Sequence, residues 1–455
     1  MNKYIKTALL FAATVTSFGA VAQNTNSAYF TEGYTHRYQL NPAYGNDKNF
    51  ISIPVIGNAN AAMRGTIGVE NLFYNVNGQT TTFMNPAVDA TTFLNGIDDM
   101  SRLAMDANIN LMSAGFKWLG GYNTISINAR GNMNSRIPKT LFSFLKEGIE
   151  NKTYSISDFD VHTDFYGEIA LGHSHQIGDK WRVGGTLKFL LGGANVDARF
   201  NKAELTLGED AWSAVTNAEV NASVKGLTYT ETTSEISGHN YVSGVETDGF
   251  GLNGFGMAVD LGAEFKPNKY WAINLALLDF GYMRWSNNMV ASTGGDKSFT
   301  TDAYTFSLNE KDEHFIVDEM DAMIDEISTL YELQDEGDLG PRSTMLGATL
   351  NVGAEFALPA YDKLKFGLLN STRIQGDYSW TEFRLSANIN PVEPLALAAN
   401  VGVGTYGWSF GWLANVNVTG FNLFVGMDHT PGRLAKQGIP LSSNASMNLG
   451  VNIPF

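Results

Sequence analysis

Charged side chains stand in one phase of segments that otherwise alternate apolar and small residues: Arg130, Glu168, Arg182, Lys188, Asp260, Glu264, Asp279, Glu355, Lys365, Glu382 and Arg384. On a strand, one phase is one face. Acids and bases mixed on one enclosed face imply ion pairs across an interior, not the single-sign eyelet of a wide pore. Other groupings are poorer. His173 and His175 share a strand face, but no third ligand accompanies them, and histidines at a strand end by an interface are the plainer reading. Asp158, Asp160 and Asp164 have loose calcium-loop spacing without the glycine and distal glutamate that complete such a loop. Residues 251–256 are glycine-rich at a strand start and read as turn or lumenal residues. No nucleophile elbow or phosphate loop occurs. The chain has no cysteine, which removes thiol chemistry and thiolate metal sites. No enzyme, cofactor or metal is expected.

The elements that must hold the charged face are strands. Leu346 to Phe356, Phe383 to Ile389, Leu395 to Val403, Trp408 to Val418 and Met447 to Phe455 each alternate apolar with polar or glycine. Segments of about ten residues with this period are expected of strands facing lipid outward and a lumen inward. Fourteen are expected, near 62–76, 108–118, 122–132, 164–177, 180–195, 250–265, 270–285, 342–357, 362–371, 378–390, 394–404, 407–418, 419–428 and 444–455. Short connections alternate with longer ones, of which 133–163, 196–249 and 286–341 are the longest, as short periplasmic turns alternate with extracellular loops in such barrels. Trp118, Trp181 and Trp271 fall at one set of strand ends. Trp285, Trp380, Trp408 and Trp412 fall toward the other, two aromatic girdles with Trp380 out of phase. The strand at Trp271 changes phase at Leu277-Leu278, where a β-bulge would turn Asp279 inward and offer a lateral opening.

Lys3 and Lys6, the apolar stretch Thr7–Phe18 and Ala20-Val21-Ala22 read as a cleaved export signal over 1–22. No later run is long and apolar enough for a helical span. Net charge is −16, and −18 without the leader, which argues against nucleic acid. Residues 310–338 place Ile316, Met320, Met323, Ile327 and Leu330 at helical spacing with carboxylates opposite. That is an acidic amphipathic helix that could cap the mouth, bind divalent cations near lipopolysaccharide, or dock a protein partner. Shorter loop helices are expected at 96–106 and 139–149.

Residues 23–61 precede the first expected strand and contain Asn41-Pro42-Ala43 and the apolar run Phe50-Ile51-Ser52-Ile53-Pro54-Val55-Ile56. This layout, and Asn41-Pro42-Ala43 in particular, resembles the N-terminal hatch of the FadL family of hydrophobic-compound transporters. The start Asn26-Ser27-Ala28-Tyr29-Phe30 is similar to uncharacterised FadL-like proteins. The resemblance implies a Gram-negative outer-membrane barrel passing or binding a small hydrophobic or amphipathic compound, with Asn41, Pro42, Phe50, Ile51, Ile53 and Ile56 at the hatch or ligand. Strand number and motif also resemble PorV barrels of the type IX secretion system, which implies a non-transporting barrel docking a secreted or surface partner. The terminal Phe455 resembles the signal read by the barrel-assembly machinery.

Overall fold

Each strand of the wall is held on both sides by another, and the last is held by the first. The computed structural model describes residues 25–147, 152–207, 212–249, 251–300, 327, 329–431 and 443–455. Fourteen antiparallel strands form the wall. They are β1 (Phe50–Ser52 and Ala59–Gly65), β2 (Met100–Trp118), β3 (Gly121–Pro138), β4 (Asp160–Ile177), β5 (Trp181–Leu207), β6 (Gly254–Asn268), β7 (Trp271–Trp285), β8 (Ala348–Ala357), β9 (Leu364–Ile374), β10 (Trp380–Val392), β11 (Leu395–Gly404), β12 (Gly407–Val418), β13 (Phe421–Met427) and β14 (Ala445–Pro454). Sequential neighbours pair throughout, and β14 pairs with both runs of β1, which closes the barrel.

The two faces explain why these residues form this wall. Outward, Ile125, Leu171, Leu187, Leu261, Ile273, Leu275, Val352, Leu385 and Val401 are exposed, while Ser126, Asp260, Asn274, Asn351, Ser386 and Asn400 on strands among these are buried. Lipid in place of water accepts the first face, and closure leaves no unpaired edge in the hydrocarbon. Trp118, Trp181 and Trp271 are exposed at the rim of short turns and Trp408 at the rim of long loops. Trp285 departs from its girdle position. It is fully buried against Tyr166, Leu190 and Met283, because the phase change earlier in β7 turns it inward.

β8 starts six residues later than expected, at Ala348, and from β9 onward the observed strand ends lie within three residues of those expected. The first strand does not: it begins at Phe50, so 50–61 belongs to the wall and not to the hatch. Residues 69–82 instead form a helical turn, α1 (Val69–Leu72), and a hairpin, Phe73–Val76 with Gln79–Thr82, outside the barrel sheet. The helix expected at 96–106 sits earlier, as α2 (Ala90–Asn95). Asp89 caps it by accepting from the Thr92 amide at 2.7 Å, Gly96 ends it, and β2 then starts. The helix expected at 139–149 is α3 (Lys139–Glu147). Most of the expected acidic helix, and the leader, lie outside the described residues. What is described of 310–338 ends in a strand, Gln334–Asp338, paired with Met289–Ser292.

β5 has 27 residues against the ten or so a tilted span needs. Its upper half therefore stands clear of the membrane and pairs there with Trp212–Val224. Inside the wall, residues 25–49 fold into the lumen with two 3-10 turns, Asn26–Ala28 and Arg37–Gln39.

Candidate functional site in the barrel lumen

The hatch is an aromatic cluster in a polar shell. Tyr29, Phe30, Tyr34, Leu40 and Tyr44 are buried with Leu369, Leu413 and Phe424 of the wall. Tyr34 meets Phe424 edge-on at 4.8 Å, and Tyr29 meets Phe30 at 5.0 Å. The Asn41 side chain accepts from the Ala43 amide at 2.9 Å, forming a local turn, and its amide donates to the Ala263 and Leu275 carbonyls of β6 and β7 at 3.4 Å. Glycines in the wall make room for that turn: a Cβ at Gly184 would collide with the Pro42 carbonyl, and one at Gly262 with Asn41. At the other end of the hatch, the Asn26 and Ser27 amides donate to the Asp428 carboxylate at 2.7 and 2.6 Å. Glu32 accepts from Lys365 at 2.5 Å, and Glu355 lies 3.4 Å from the same ammonium. Burial pushes the Glu32 carboxyl up, but the Lys365 charge and hydrogen bond outweigh it and hold the group below its ordinary value.

Five of the charged residues read from the sequence come together, one from each of five neighbouring strands. Arg130 of β3 grips both oxygens of Asp279 of β7 at 2.8 and 3.0 Å and reaches Glu168 of β4 at 2.9 Å. Lys188 of β5 lies 2.6 Å from Asp279 and 2.7 Å from Asp260 of β6. Asp279 has a φ of +58° and sits with Leu278 opposite the single residue Asp260, whose carboxylate accepts its amide at 2.7 Å. Leu277 is half-buried before this irregularity, and Phe280 faces lipid after it. The charge cluster thus backs the β7 irregularity from inside. Glu382 and Arg384 form a second group, paired at 2.8 Å, with Arg384 also donating to Asn400 and, at 3.1 Å, to the Asp428 carbonyl. Arg182 and Glu264 stand near the short-turn rim, where Arg182 donates to Gln176 and Glu264 pairs with Lys266. Asp160 pairs with Arg136 and Asp164 with His162, so neither joins Asp158. His173 and His175 stack on the outer face, with Asn123 2.9 Å from His173.

The candidate hatch residues divide. Asn41 and Pro42 lie inside. Phe50 points inward against Tyr38 and Tyr122, while Ile51 and Ile56 face outward and Ile53 is half-buried. They flank an outward bulge in the wall, still tied to β14 where the Val451 amide donates to the Ile56 carbonyl at 2.9 Å. Ser52 opposes Asn452 and Ala59 opposes Leu449, so β1 spends seven residues where β14 spends three. The surplus bows outward at Pro54-Val55-Ile56, with Val55 at a φ of +69°. Next to it β2 carries an extra residue, Leu111, and the Val55 amide donates to its carbonyl at 3.2 Å. Inside the bulge stands His36, its Nε2 3.0 Å from the Gly57 carbonyl and 3.2 Å from Asn452. Burial pushes this imidazole down to about 4, against the two hydrogen bonds that raise it. The sequence reading placed Tyr34 and Tyr38 in the hatch segment without a role and missed His36, Glu32 and Asp428. Aromatic recurrence at Tyr29, Phe30, Tyr34, Tyr38 and Tyr44 was the available signal.

A family model matches residues 42–428, across nearly the whole wall. The chain belongs to the family of unknown function DUF5723. No curated protein matches this DUF5723 chain. Among solved structures it is similar to the toluene transporter TodX of P. putida, at 9% identity and TM-score 0.41, covering 96% of each chain. It is likewise similar to a Pseudomonas aeruginosa FadL homologue, at 9% identity and TM-score 0.37, covering 96% of this chain and 100% of that one. The translocator domain of autotransporter NalP from Neisseria meningitidis is similar at 8% identity and TM-score 0.32, covering 90% of each. These DUF5723 strands form an outer-membrane type of barrel on the evidence of their own closed sheet and apolar outer band.

Proposed function

We propose that this chain is a Gram-negative outer-membrane conduit that takes up a small hydrophobic or amphipathic compound, with residues 25–49 as its hatch and the outward bulge of β1 as its lateral exit. The observation that carries this reading is the coincidence of three features at one height of the wall. β1 leaves the regular ladder and bulges outward over 53–58, β2 is bulged at Leu111, and the aromatic hatch cluster with His36 lies directly behind. Val55, Ile56, Leu111 and Met112 give the outer side an apolar surface. A compound leaving the cluster there would pass from apolar lumen to lipid without crossing water. The β7 bulge is the poorer exit, because Arg130, Lys188, Asp260 and Asp279 occupy its inner side. The buried aromatic cluster of Tyr29, Phe30, Tyr34 and Tyr44 suits an apolar cargo. The chemistry asked of the barrel is partition and release, with no covalent step.

Thr35 donates to Asn422 of β13 at 2.8 Å, which places hatch and wall side by side. The chain has no native cysteine, so a Thr35→Cys/Asn422→Cys pair gives one defined cross-link. In proteoliposomes, uptake of a radiolabelled monoaromatic hydrocarbon should stop when the pair is oxidised and return on reduction. Equal uptake in both states would reject the hatch as the gate.

One observation favours a second reading. The tall extracellular wall of β5 with Trp212–Val224 exceeds what a conduit requires and offers a platform for a secreted or surface protein, as in PorV-like barrels. A partner retained on this wall, with no uptake in the assay above, would select it. Lipopolysaccharide around the outer band, and the assembly machinery at Phe455, are the remaining proposed contacts. Phe455 is exposed at the periplasmic rim and exchanges two backbone hydrogen bonds with Asn49.

A further inference from the structure

The hairpin tip between β9 and β10, residues 375–379, turns over the extracellular mouth and meets the far wall. In a closed ring of fourteen strands, β9 and β10 stand opposite β2, β3 and β4, seven or so strands away in either direction. Yet contacts join them. Arg102 of β2 donates to the Asp377 and Ser379 carbonyls at 3.0 and 3.2 Å. Arg136 of β3 lies 3.3 Å from the Asp377 carboxylate while holding Asp160 at 2.5 Å. His162 of β4, fixed between Asp164 and Asp197, stacks its ring on Tyr378 at 5.6 Å. Behind the tip, Arg64 of β1 lies over the Trp380 ring of β10 at 4.5 Å, within its pair to Asp106. Four consecutive strands of one wall therefore hold one hairpin of the other.

These contacts have the character of a latch, not of a core. They are made by long side chains to carbonyls, one carboxylate and one ring face. Asp377 itself is half-exposed, where solvent screens an ion pair and leaves it weak. The tip is short and ends in a 3-10 turn, Gly376–Tyr378, with Gly376 at a φ of +56°, so it is shaped by its own turn and can lift without unravelling β9 or β10. We propose that residues 375–379 form a second gate, closing the extracellular mouth by latching onto Arg102, Arg136 and His162, so that the lumen is sealed above by this tip and below by the hatch. It extends the conduit reading, but its test uses no hydrophobic cargo, so the two stand or fall separately.

The absence of cysteine permits the test on the full chain. Asn132 lies on β3 four residues below Arg136, beside Asp164. A single Asn132→Cys variant in outer membranes is treated from outside with a membrane-impermeant maleimide. Labelling is compared with the same cysteine in an Arg102→Ala/Asp377→Ala background. Heat-modifiable gel mobility checks that both barrels are folded. The expected result is labelling at least tenfold faster once the latch residues are gone, with the conservative Asp377→Asn background in between. Equal fast labelling in all backgrounds would mean that the mouth is open beforehand, and equal slow labelling would mean that something else seals it. Either result overturns the proposal. Should the double variant fail to fold, the Asp377→Asn background alone decides it by the same comparison.

Discussion

Asp279 ties β7 to both β3 and β5 across the wall. It receives Arg130 through two nitrogens and Lys188 through one, and all three are buried. Removing its carboxylate takes one partner from each of two buried cations, which keep Glu168 and Asp260, a loss of about 1–3 kcal/mol for the charged hydrogen bonds removed. Asp279→Ala should therefore unfold at lower temperature in detergent, read by gel mobility against temperature. Arg130→Ala added to it should cost less than the two losses summed, because the partners share one network. Strictly additive losses would deny the network. Gly184→Ala and Gly262→Ala push a methyl into Pro42 and Asn41, an overpacking cost of about 1–3 kcal/mol. The expected outcome is faster proteolysis within 34–49 with the barrel intact, and unchanged proteolysis would mean the hatch is not seated there. The charged face was legible in the sequence, because strand phase alone selects Arg130, Glu168, Lys188 and Asp260. Which charge meets which was not, since the pairing joins strands up to 149 positions apart.

At the scale of elements, the hatch and β1 are coupled through His36. Its folded pKa of about 4 lies below the ordinary 6.5, so between these values the released hatch binds more protons than the docked one. Docking is then strongest above pH 6.5 and weakens as pH falls toward 4, by about 1.4 kcal/mol per pH unit and on the order of 3 kcal/mol in all. Hydrogen exchange of the 34–44 backbone, corrected for intrinsic rates, should rise between pH 7 and pH 4.5. His36→Asn should lose that rise, and a variant that keeps it would place the pH dependence elsewhere. The strands β8 to β14 could be read from the sequence because one face meets lipid and the other a polar lumen along their whole length. β1 could not. Its surplus residues at 53–58 break the period, and Phe50 to Ile56 then looks like one apolar hatch segment although Phe50 points in and Ile51 and Ile56 point out. Trp285 misled for a related reason: beyond the β7 phase change its parity is inward, and position at a strand end counted for less than parity.

For the molecule as a whole, the proposed conduit is a closed wall with a hatch below and a latched hairpin above, and the bulged β1 seam between β14 and β2 is its proposed way out. Its architecture was readable from alternation, turn lengths and strand count; the seam was not, because an outward bow in one strand has meaning only beside its neighbour's bulge and the aromatic cluster behind. The route is tested most directly by a photoactivatable hydrophobic compound carried through the full-length barrel in native membranes, with labelled positions read by peptide mass spectrometry. The account predicts labelling on inward-facing Tyr34, Tyr38 and Phe424 together with 53–58 and 111–112, lost from the inward residues when the Thr35→Cys/Asn422→Cys pair is oxidised. Labelling confined to the outer band and indifferent to the cross-link, or passing instead beside Leu277, Leu278 and Asp279, would contradict it.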